Sequence, residues 1–562
     1  MDEVRRLSAE VVVIGGGSTG CGVARDAAMR GFSTILVERA DLAQGTSGRF
    51  HGLLHSGARY AVSDPESATE CCVENRILKR IQPDAIEPTG GWFVALEGDG
   101  PDYSDKFLRA MERNGLPHEE VRLALARRLE PRLTRRAVQV ISVDDAAVDG
   151  WALALGTVRS ALEYGARVLR YTEVKGIGLT GGRTSTVHCR DRRSGEDFVI
   201  EAGFIINAAG PWVGRVATLL GIEDVTVEPA QGIMVAVSQR LVSRVLNRLR
   251  YPGDGDIMVP AQTVSIIGTT DAPASDPDRL VMPRDKIQQM LDCGEALVPG
   301  FRQARGLHCW VGARPLIRDD SVKPAETRKM RRGMFIFDHA SRDGVEGMLS
   351  VAGGKLTTYR LMAQEVVDQM CLKLGSPRRC RTASEPVPPP PTDHFVAGQV
   401  TKPGAGAEAP EIEQPDWPIS PAGRQRPTGP RHITDRLAEA ESTRADDQII
   451  CECELVSRRA LVSALRRHPD DSLDDLRRRL RIGMGPCQGG FCAARSAGIA
   501  CQEDAWSAGQ AVAALRLFLR NRWIGQQPLV YGELLKQIAL DNWMLYGTLG
   551  LEQLPASQEV VL

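Results

Sequence analysis

Four cysteines near the end of the chain fall into two pairs, Cys451-x-Cys453 in "IICECELV" and Cys487-x4-Cys492 in "GMGPCQGGFC". Near the start, Gly15-x-Gly17-x-x-Gly20 follows the apolar run "EVVVIGG", and Glu38 closes the next run, "STILVERA". Between them, three stretches concentrate polar groups. "RFHGLLHSGARYAV" carries Arg49, His51, His55, Arg59 and Tyr60; "WVGARPLIRDD" carries Arg314; "AGGKLTTYR" carries Lys355, Thr357, Thr358, Tyr359 and Arg360. Each set has its own chemistry. Four thiolates suit Zn2+ or an iron–sulfur cluster. The glycines permit a tight turn, close approach of backbone to a pyrophosphate and close helix–strand packing, with a helix N-terminus facing the negative charge. A carboxylate at Glu38 can accept hydrogen bonds from adenosine ribose hydroxyls. Guanidinium groups match phosphate oxygens bidentately, so several cations beside glycine turns suit a phosphorylated substrate.

Every one of these features has a blander reading. A single arginine usually belongs to a solvated face, and a lone histidine is more often structural than catalytic. An isolated GxGxxG is weak, but strand, helix and acidic residue in the right order make a dinucleotide site the expected reading. NAD and FAD both fit it. No second GxGxxG unit is present, so separate FAD and NAD sites are not expected. "NAAGPWV", Asn207–Val213, reads either as the turn lying near adenine in FAD oxidoreductases or as an ordinary turn between strand and helix. CxC with Cx4C is an unusual spacing for a zinc knuckle. The remaining cysteines, such as Cys71, Cys72, Cys189, Cys293 and Cys309, read as small buried apolar residues.

The elements that must position these groups follow from the apolar periodicity. "EVVVIGG", "STGCGVARDAAMRG" closed by Gly31, and "STILVERA" form a βαβ unit. "FIINAAGPWVGRVATLLG" and "GMLSVAGGKLTTYRLMAQEVVDQM" repeat the strand–turn–helix rhythm, while "DIMVPAQTVSIIGTTD" suits an antiparallel sheet. The expected fold is therefore α/β, a Rossmann-type nucleotide-binding layer with an inserted antiparallel-β substrate domain. Residues 384–430, rich in Pro, Gly and Ala, read as a mobile linker after a body of residues 1–383. Residues 431–500 then form a small helical four-cysteine domain, with "SRRALVSALRRHP" and "SLDDLRRRLRIG" as amphipathic helices. Residues 501–562 form a helical segment that packs on that domain or on a partner.

The chain has 562 residues and a net charge of −1, so several domains are expected and no basic field argues for nucleic acid. Thirteen loosely scattered cysteines do not form a disulfide framework. With no apolar run of spanning length and no secretory signal, the expectation is a cytoplasmic chain that meets a membrane only through partners.

"GTSGRFHGLLHSGARYAV", "ARPL" and "GGKLTTYRLMA", in this order behind the glycine motif, resemble the FAD-dependent glycerol-3-phosphate dehydrogenases. The tail "CEC…GMGPCQGGFC" narrows the resemblance to the catalytic A subunits of the anaerobic branch. The cysteine tail is similar to the [2Fe–2S] domain of bacterioferritin-associated ferredoxin, which commonly closes with CxxC. The resemblance implies a D-amino-acid-oxidase-like fold that oxidises sn-glycerol 3-phosphate to dihydroxyacetone phosphate. It implies FAD held by Gly15, Gly17, Gly20, Glu38, Arg39, Ser47, Ala209, Gly210, Gly354, Leu356 and Thr357. It implies substrate contacts from Arg59, Tyr60, Arg314, Arg332 and Lys355, with Arg314 or His51 handling the C2 hydroxyl. It implies a cluster on Cys451, Cys453, Cys487 and Cys492, passing electrons singly towards quinone. Its expected partners are a flavoprotein B subunit plus a membrane-linked iron–sulfur C subunit, which hold the chain at the inner face of the cell membrane. The rival readings are a related FAD enzyme acting on a 2-hydroxy acid or amino acid, and an electron-transfer or iron-handling module without dehydrogenase activity.

Overall fold

A computed structural model describes residues 5–317, 333–390 and 448–555. The glycine-rich start folds as expected. Strand β1 (Arg6–Ile14) pairs in parallel with β2 (Thr34–Val37) on one side and β3 (Asp197–Asn207) on the other. Strand Arg167–Leu169 extends the sheet beyond β2, and Met348–Gly353 pairs in parallel with β3. Helix α1 (Ser18–Met29) lies on this sheet between α2 (Gly150–Glu163) and α3 (Tyr359–Lys373). Val11, Val13 and Leu36 from the sheet, Val23, Ala24 and Ala27 from α1, and Val366 and Val367 from α3 share one buried core. Small residues bring the helices close: a Cβ added at Gly22 would lie 3.0 Å from that of Ala363.

The second layer is a nine-stranded, mainly antiparallel sheet built around β4 (Val227–Ser238), β5 (Ile257–Ala261), β6 (Val264–Gly268) and β7 (Gly306–Ile317). The pairing of β4 with β7 puts Arg314 opposite Ala230, at the end of the strand that faces the nucleotide layer's turns. The inserted substrate layer is therefore present, and its outer face buries Ile233, Val235, Val237, Met290, Leu297 and Phe301.

The tail carries α4 (Arg458–Arg467), α5 (Leu473–Leu480), α6 (Cys492–Gln502), α7 (Ala508–Gln526) and α8 (Glu533–Asn542). The division drawn between residues 500 and 501 runs through α6. Trp506, Ala511, Leu515 and Phe518 share a core with Cys451, Leu461 and Leu476, so the cysteine segment and the terminal helices fold as one body. The linker drawn from residue 384 also begins later. Val387 N–H donates to Ile81 O at 2.7 Å, and Pro388 O accepts from Arg159 at 3.1 Å, which ties residues 384–390 to the body. Residues 391–430 lie outside the described residues.

Nor does the tail hang from the body as a tethered unit. Arg170 donates to Asp41 at 2.9 Å and to Asp471 at 2.6 Å, while Arg478 of α5 donates to Asp41 at 2.8 Å and also to Asp475. Tyr171 Oη donates to Asp475 at 2.5 Å. Burial alone would raise the Asp41 carboxyl, but the flanking Arg478 and Arg170 guanidinium groups bring it down to about 2. Leu529 and Leu534, either side of the turn into α8, enter the core of the substrate layer.

Candidate active site

A cleft of about 1490 Å3 runs between the two layers, bordered at one end by the glycine turn and at the other by the cationic segments. Drug-sized pockets reach roughly 300–1,000 Å3, so this volume suits a dinucleotide together with a small substrate. Gly15, Gly17, Glu38, Arg39, Ser47, Ala209, Gly210, Gly354, Leu356 and Thr357 all line it, as do His51, Arg59, Tyr60, Arg314 and Lys355. Gly20 stands behind the turn, where a Cβ would lie 1.8 Å from Gly15 O. Arg332 lies outside the described residues.

The nucleotide end is shaped by backbone. Gly15 has φ +109°, and a Cβ there would lie 2.7 Å from Ala208 O. The Glu38 carboxylate accepts from Gly16 N at 2.6 Å and Ala40 N at 2.9 Å, which fixes it at the end of β2 beside the turn. Burial raises its carboxyl, and those two amides oppose the rise. No side chain caps α1 from Gly17, and Ser47 Oγ accepts instead from Ser18 N at 2.9 Å. A side-chain-free turn, a helix N-terminus with no side chain at its own cap position and an acidic strand end fit the pyrophosphate and ribose of FAD.

The cationic end joins motifs that are far apart in the chain. His55 N–H donates to Thr357 Oγ1 at 3.1 Å, which pins the "HSGARY" turn to the "GGKLTT" turn. Gly57 makes that first turn possible, with φ +97° and a Cβ position 2.1 Å from Ala68 O. The turn also hangs on buried Asp145, which accepts from Ser56 N at 2.8 Å and Ser56 Oγ at 2.7 Å, and from Asn247 Nδ2 at 3.1 Å. Lys355 Nζ stands 4.8 Å from the centroid of the Tyr60 ring, whose other neighbour is His55 at 5.2 Å.

The two arginines are held by carboxylates the sequence did not single out. Arg59 Nη2 donates to Asp256 at 2.8 Å, and Asp256 also takes Arg250 at 2.8 Å and Gly253 N at 2.6 Å. Arg314 pairs with Asp271 and donates to Thr270 O at 2.5 Å. Asp256 and Asp271 sit in unremarkable loop sequence, so only the fold reveals them.

His51 has a defined ring orientation. Its Nδ1 accepts from Leu53 N–H at 3.1 Å, which places the ring proton of the neutral imidazole on Nε2. Burial, with Arg314 and Arg59 nearby, lowers its pKa to about 3. A neutral ring whose basic nitrogen is occupied by a backbone amide donates a hydrogen bond and is poorly placed to take a proton. Two residues of the same segments lie elsewhere. Tyr359 Oη bonds Gln82 at 2.9 Å and Thr157 at 3.0 Å, and Arg360 forms a buried pair with Glu74 at 2.6 Å. Both hold α3 in place.

In the tail the four cysteines come together. The thiol of Cys451 lies beside that of Cys492, and Cys487 lies beside both Cys453 and Cys492. Those sulfur contacts hold the Cys487 thiol well below its ordinary pKa, helped by the Gly489 and Phe491 amides. Four neighbouring sulfurs with backbone donors fit the thiolate set of a two-iron cluster. Glu454, next to Cys453 and buried, accepts from Arg481 at 2.8 Å, and from Thr263 at the tip of the β5–β6 hairpin at 3.3 Å. The other end of that hairpin, Gly268, lies against His51 in the cleft.

A model of the family described as FAD dependent oxidoreductase matches residues 10–360, and one described as BFD-like [2Fe-2S] binding domain matches residues 449–499. The chain is 38% identical over 551 residues to the A subunit of the anaerobic glycerol-3-phosphate dehydrogenase of Escherichia coli K12, covering 97% of this chain and 98% of that one. It is 35% identical over 559 residues to the protein of the same name from Haemophilus influenzae, covering 99% and 96%. In fold it is similar to the glycerol-3-phosphate dehydrogenase of Bacillus halodurans solved with FAD, with TM-score 0.62 and 20% identity, over 94% of this chain and 97% of that one.

Proposed function

Because the chain belongs to the family of anaerobic glycerol-3-phosphate dehydrogenase A subunits, within the FAD dependent oxidoreductases, we propose that it oxidises sn-glycerol 3-phosphate to dihydroxyacetone phosphate. The observation that carries this reading is a single cleft with a dinucleotide cradle at one end and Arg59, Arg314 and Lys355 at the other. When bound, FAD would supply a two-electron acceptor for the C2 hydride, the C2 hydroxyl proton being released to water, and the [2Fe–2S] centre would supply a one-electron relay.

The chain's own residues bind and aim. Lys355 and Arg59, flanking Tyr60, hold the phosphate. Arg59 gives Asp256 one Nη2 contact, a small part of a five-donor fork. Arg314 and the Nε2–H of His51 address the C2 oxygen, because the neutral ring has its donor and not its lone pair on that nitrogen. A phosphate gripped away from C2 fixes the pose, so the reacting carbon is oriented without extra contacts at the carbon itself. The Asp271 and Asp256 carboxylates keep the two guanidinium groups in position before substrate arrives.

The electrons are assigned onward to a quinone through partner subunits, a flavoprotein B subunit plus a membrane-linked iron–sulfur C subunit, with the chain held at the inner face of the cell membrane by them. Two features support this. Among the described residues no helix is long and apolar enough to cross a membrane. Leu535, Leu540, Trp543 and Tyr546 are exposed along α8 and its continuation, while Leu534, Asp541 and Leu545 of the same stretch are buried. Large apolar side chains on the exposed face of a packed helix suit a protein partner.

The test is Arg314→Ala. The variant is expected to purify yellow, with FAD bound, and to lose at least about a hundredfold in glycerol 3-phosphate oxidation, the scale of removing a charged transition-state contact. Near-normal activity would take Arg314 out of the substrate site.

A further inference from the structure

The loop 271–282 leaves the substrate layer and returns to it, but its tip touches the nucleotide layer. Both feet are fixed on β4. Ala272 and Pro273 pair with Gln231 and Ala230, Ala274 N–H donates to Pro229 O at 2.8 Å, and Val281 N–H donates to Gln231 Oε1 at 3.1 Å. The tip crosses the mouth of the cleft. Pro277 is buried, and it lines the cleft with Asp278, Arg39, Trp212 and Arg215.

Asp278 makes the crossing. Its Oδ1 accepts from Arg39 Nη2 at 2.8 Å and Trp212 Nε1 at 3.0 Å, and its Oδ2 accepts from Arg215 Nη1 at 2.5 Å. Asp276 takes the second Arg215 nitrogen at 2.6 Å. The three donors come from two separate places in the nucleotide layer: Arg39 from the end of β2, Trp212 from the turn after β3, and Arg215 from the short helix Val213–Thr218 that follows that turn. Arg39 directly follows Glu38, and its guanidinium lies 4.6 Å from the centroid of the Trp212 ring. That ring in turn lies against Gly45, where a Cβ would stand 3.2 Å away.

We propose that residues 271–282 form a strap across the adenosine end of the cofactor site, and that Asp278 is the latch which sets how fast FAD leaves. The proposal rests on the FAD reading above. Arg39, Trp212, Pro277 and Asp278 line the same cleft as Glu38 and the glycine turn, so with ribose and pyrophosphate held there the closed tip would stand in the way of dissociation. Lifting it breaks every contact of one carboxylate at once. Each such exposed pair is individually weak, but here three donors share one acceptor group, and the backbone on both sides of it is anchored. Asp278 is a positioning residue. It acts on the cofactor through Arg39, Trp212 and the closed loop. The strap also starts at Asp271, the partner of Arg314, so one loop holds a substrate-site cation at its root and the cofactor mouth at its tip.

The experiment dilutes the purified, FAD-loaded full chain and follows release as the rise in free-flavin fluorescence, alongside melting of the apoprotein. Asp278→Asn is expected to speed release roughly tenfold, the scale of losing two or three exposed charged contacts, with apoprotein melting unchanged. Asp278→Glu should restore slow release. Arg39→Ala combined with Asp278→Asn should release FAD no faster than the faster single variant, as expected for two ends of one contact. Should Asp278→Asn fail to fold, Arg215→Gln tests the same latch from the other side. Unchanged release in the Asn variant overturns the strap while leaving FAD binding intact, and so does faster release that tracks an equal fall in apoprotein melting. A wild-type chain that takes up no FAD overturns the cofactor reading itself.

Discussion

His51 shows how much of a side chain's chemistry is set by its neighbours. The residue type suggests a base with an ordinary pKa near neutrality, yet the Leu53 amide occupies Nδ1 and burial holds the ring neutral down to about pH 3. His51→Gln, which keeps an N–H donor, should retain substrate-dependent flavin reduction within about tenfold, whereas His51→Leu should lose at least about a hundredfold. Equal, severe losses in both would restore the general base. The same shift has a stability consequence. The folded pKa lies below the unfolded value of 6.5, so the unfolded chain takes up the proton first as pH falls. Stability should therefore decline from about pH 6.5 towards about pH 3, by up to about 1.4 kcal/mol per unit from this one group. His51→Gln should lose less than the wild type in denaturant titrations repeated across that acid range. The histidine and the cations are legible in the sequence, because their types and glycine-turn settings are local. Asp256 and Asp271 are not, since their partners lie 197 and 43 residues away.

Among the elements, the first βαβ unit is the most readable, because its apolar period and its glycines are both local. Gly20 is its tightest point. Gly20→Ala places a methyl 1.8 Å from Gly15 O, so the turn must open, and the variant is expected to purify with little or no flavin. Flavin content per chain, read from the visible spectrum, checks this. Helix α5 is the opposite case. "SLDDLRRRLRIG" reads as an amphipathic helix of the small domain, and the helix is there. From that helix Arg478 instead meets Asp41 of the nucleotide layer, an acid that no period in the tail can announce. Arg478→Ala leaves Asp41 and Asp475 buried with less compensation, a change on the order of 3–5 kcal/mol for a buried pair. Amide exchange should then quicken across α4 and α5 while β1 and α1 stay protected. Equal protection in the variant would mean that the tail docks by its apolar contacts alone.

Across the whole molecule, a run of contacts joins the cleft to the cysteine segment: His51 and Gly268 on the cleft side, the β5–β6 hairpin between, Thr263 and Glu454 on the cysteine side. A docked tail makes that run a fixed one, which the proline-rich composition of residues 384–430 had concealed. Cys487→Ser should remove the cluster's absorption and its reduced-state paramagnetic signal, while glycerol 3-phosphate still bleaches the flavin. Reoxidation by a one-electron acceptor should then slow. The central claim is that the cleft grips a phosphorylated alcohol and delivers its C2 hydride to FAD. An anaerobic titration of the purified chain with sn-glycerol 3-phosphate tests it most directly, following the visible flavin band and the dihydroxyacetone phosphate formed. The account predicts bleaching with matching product, and no bleaching in a yellow Arg314→Ala variant. A flavin left oxidised by glycerol 3-phosphate but bleached by a 2-hydroxy acid or an amino acid would contradict it.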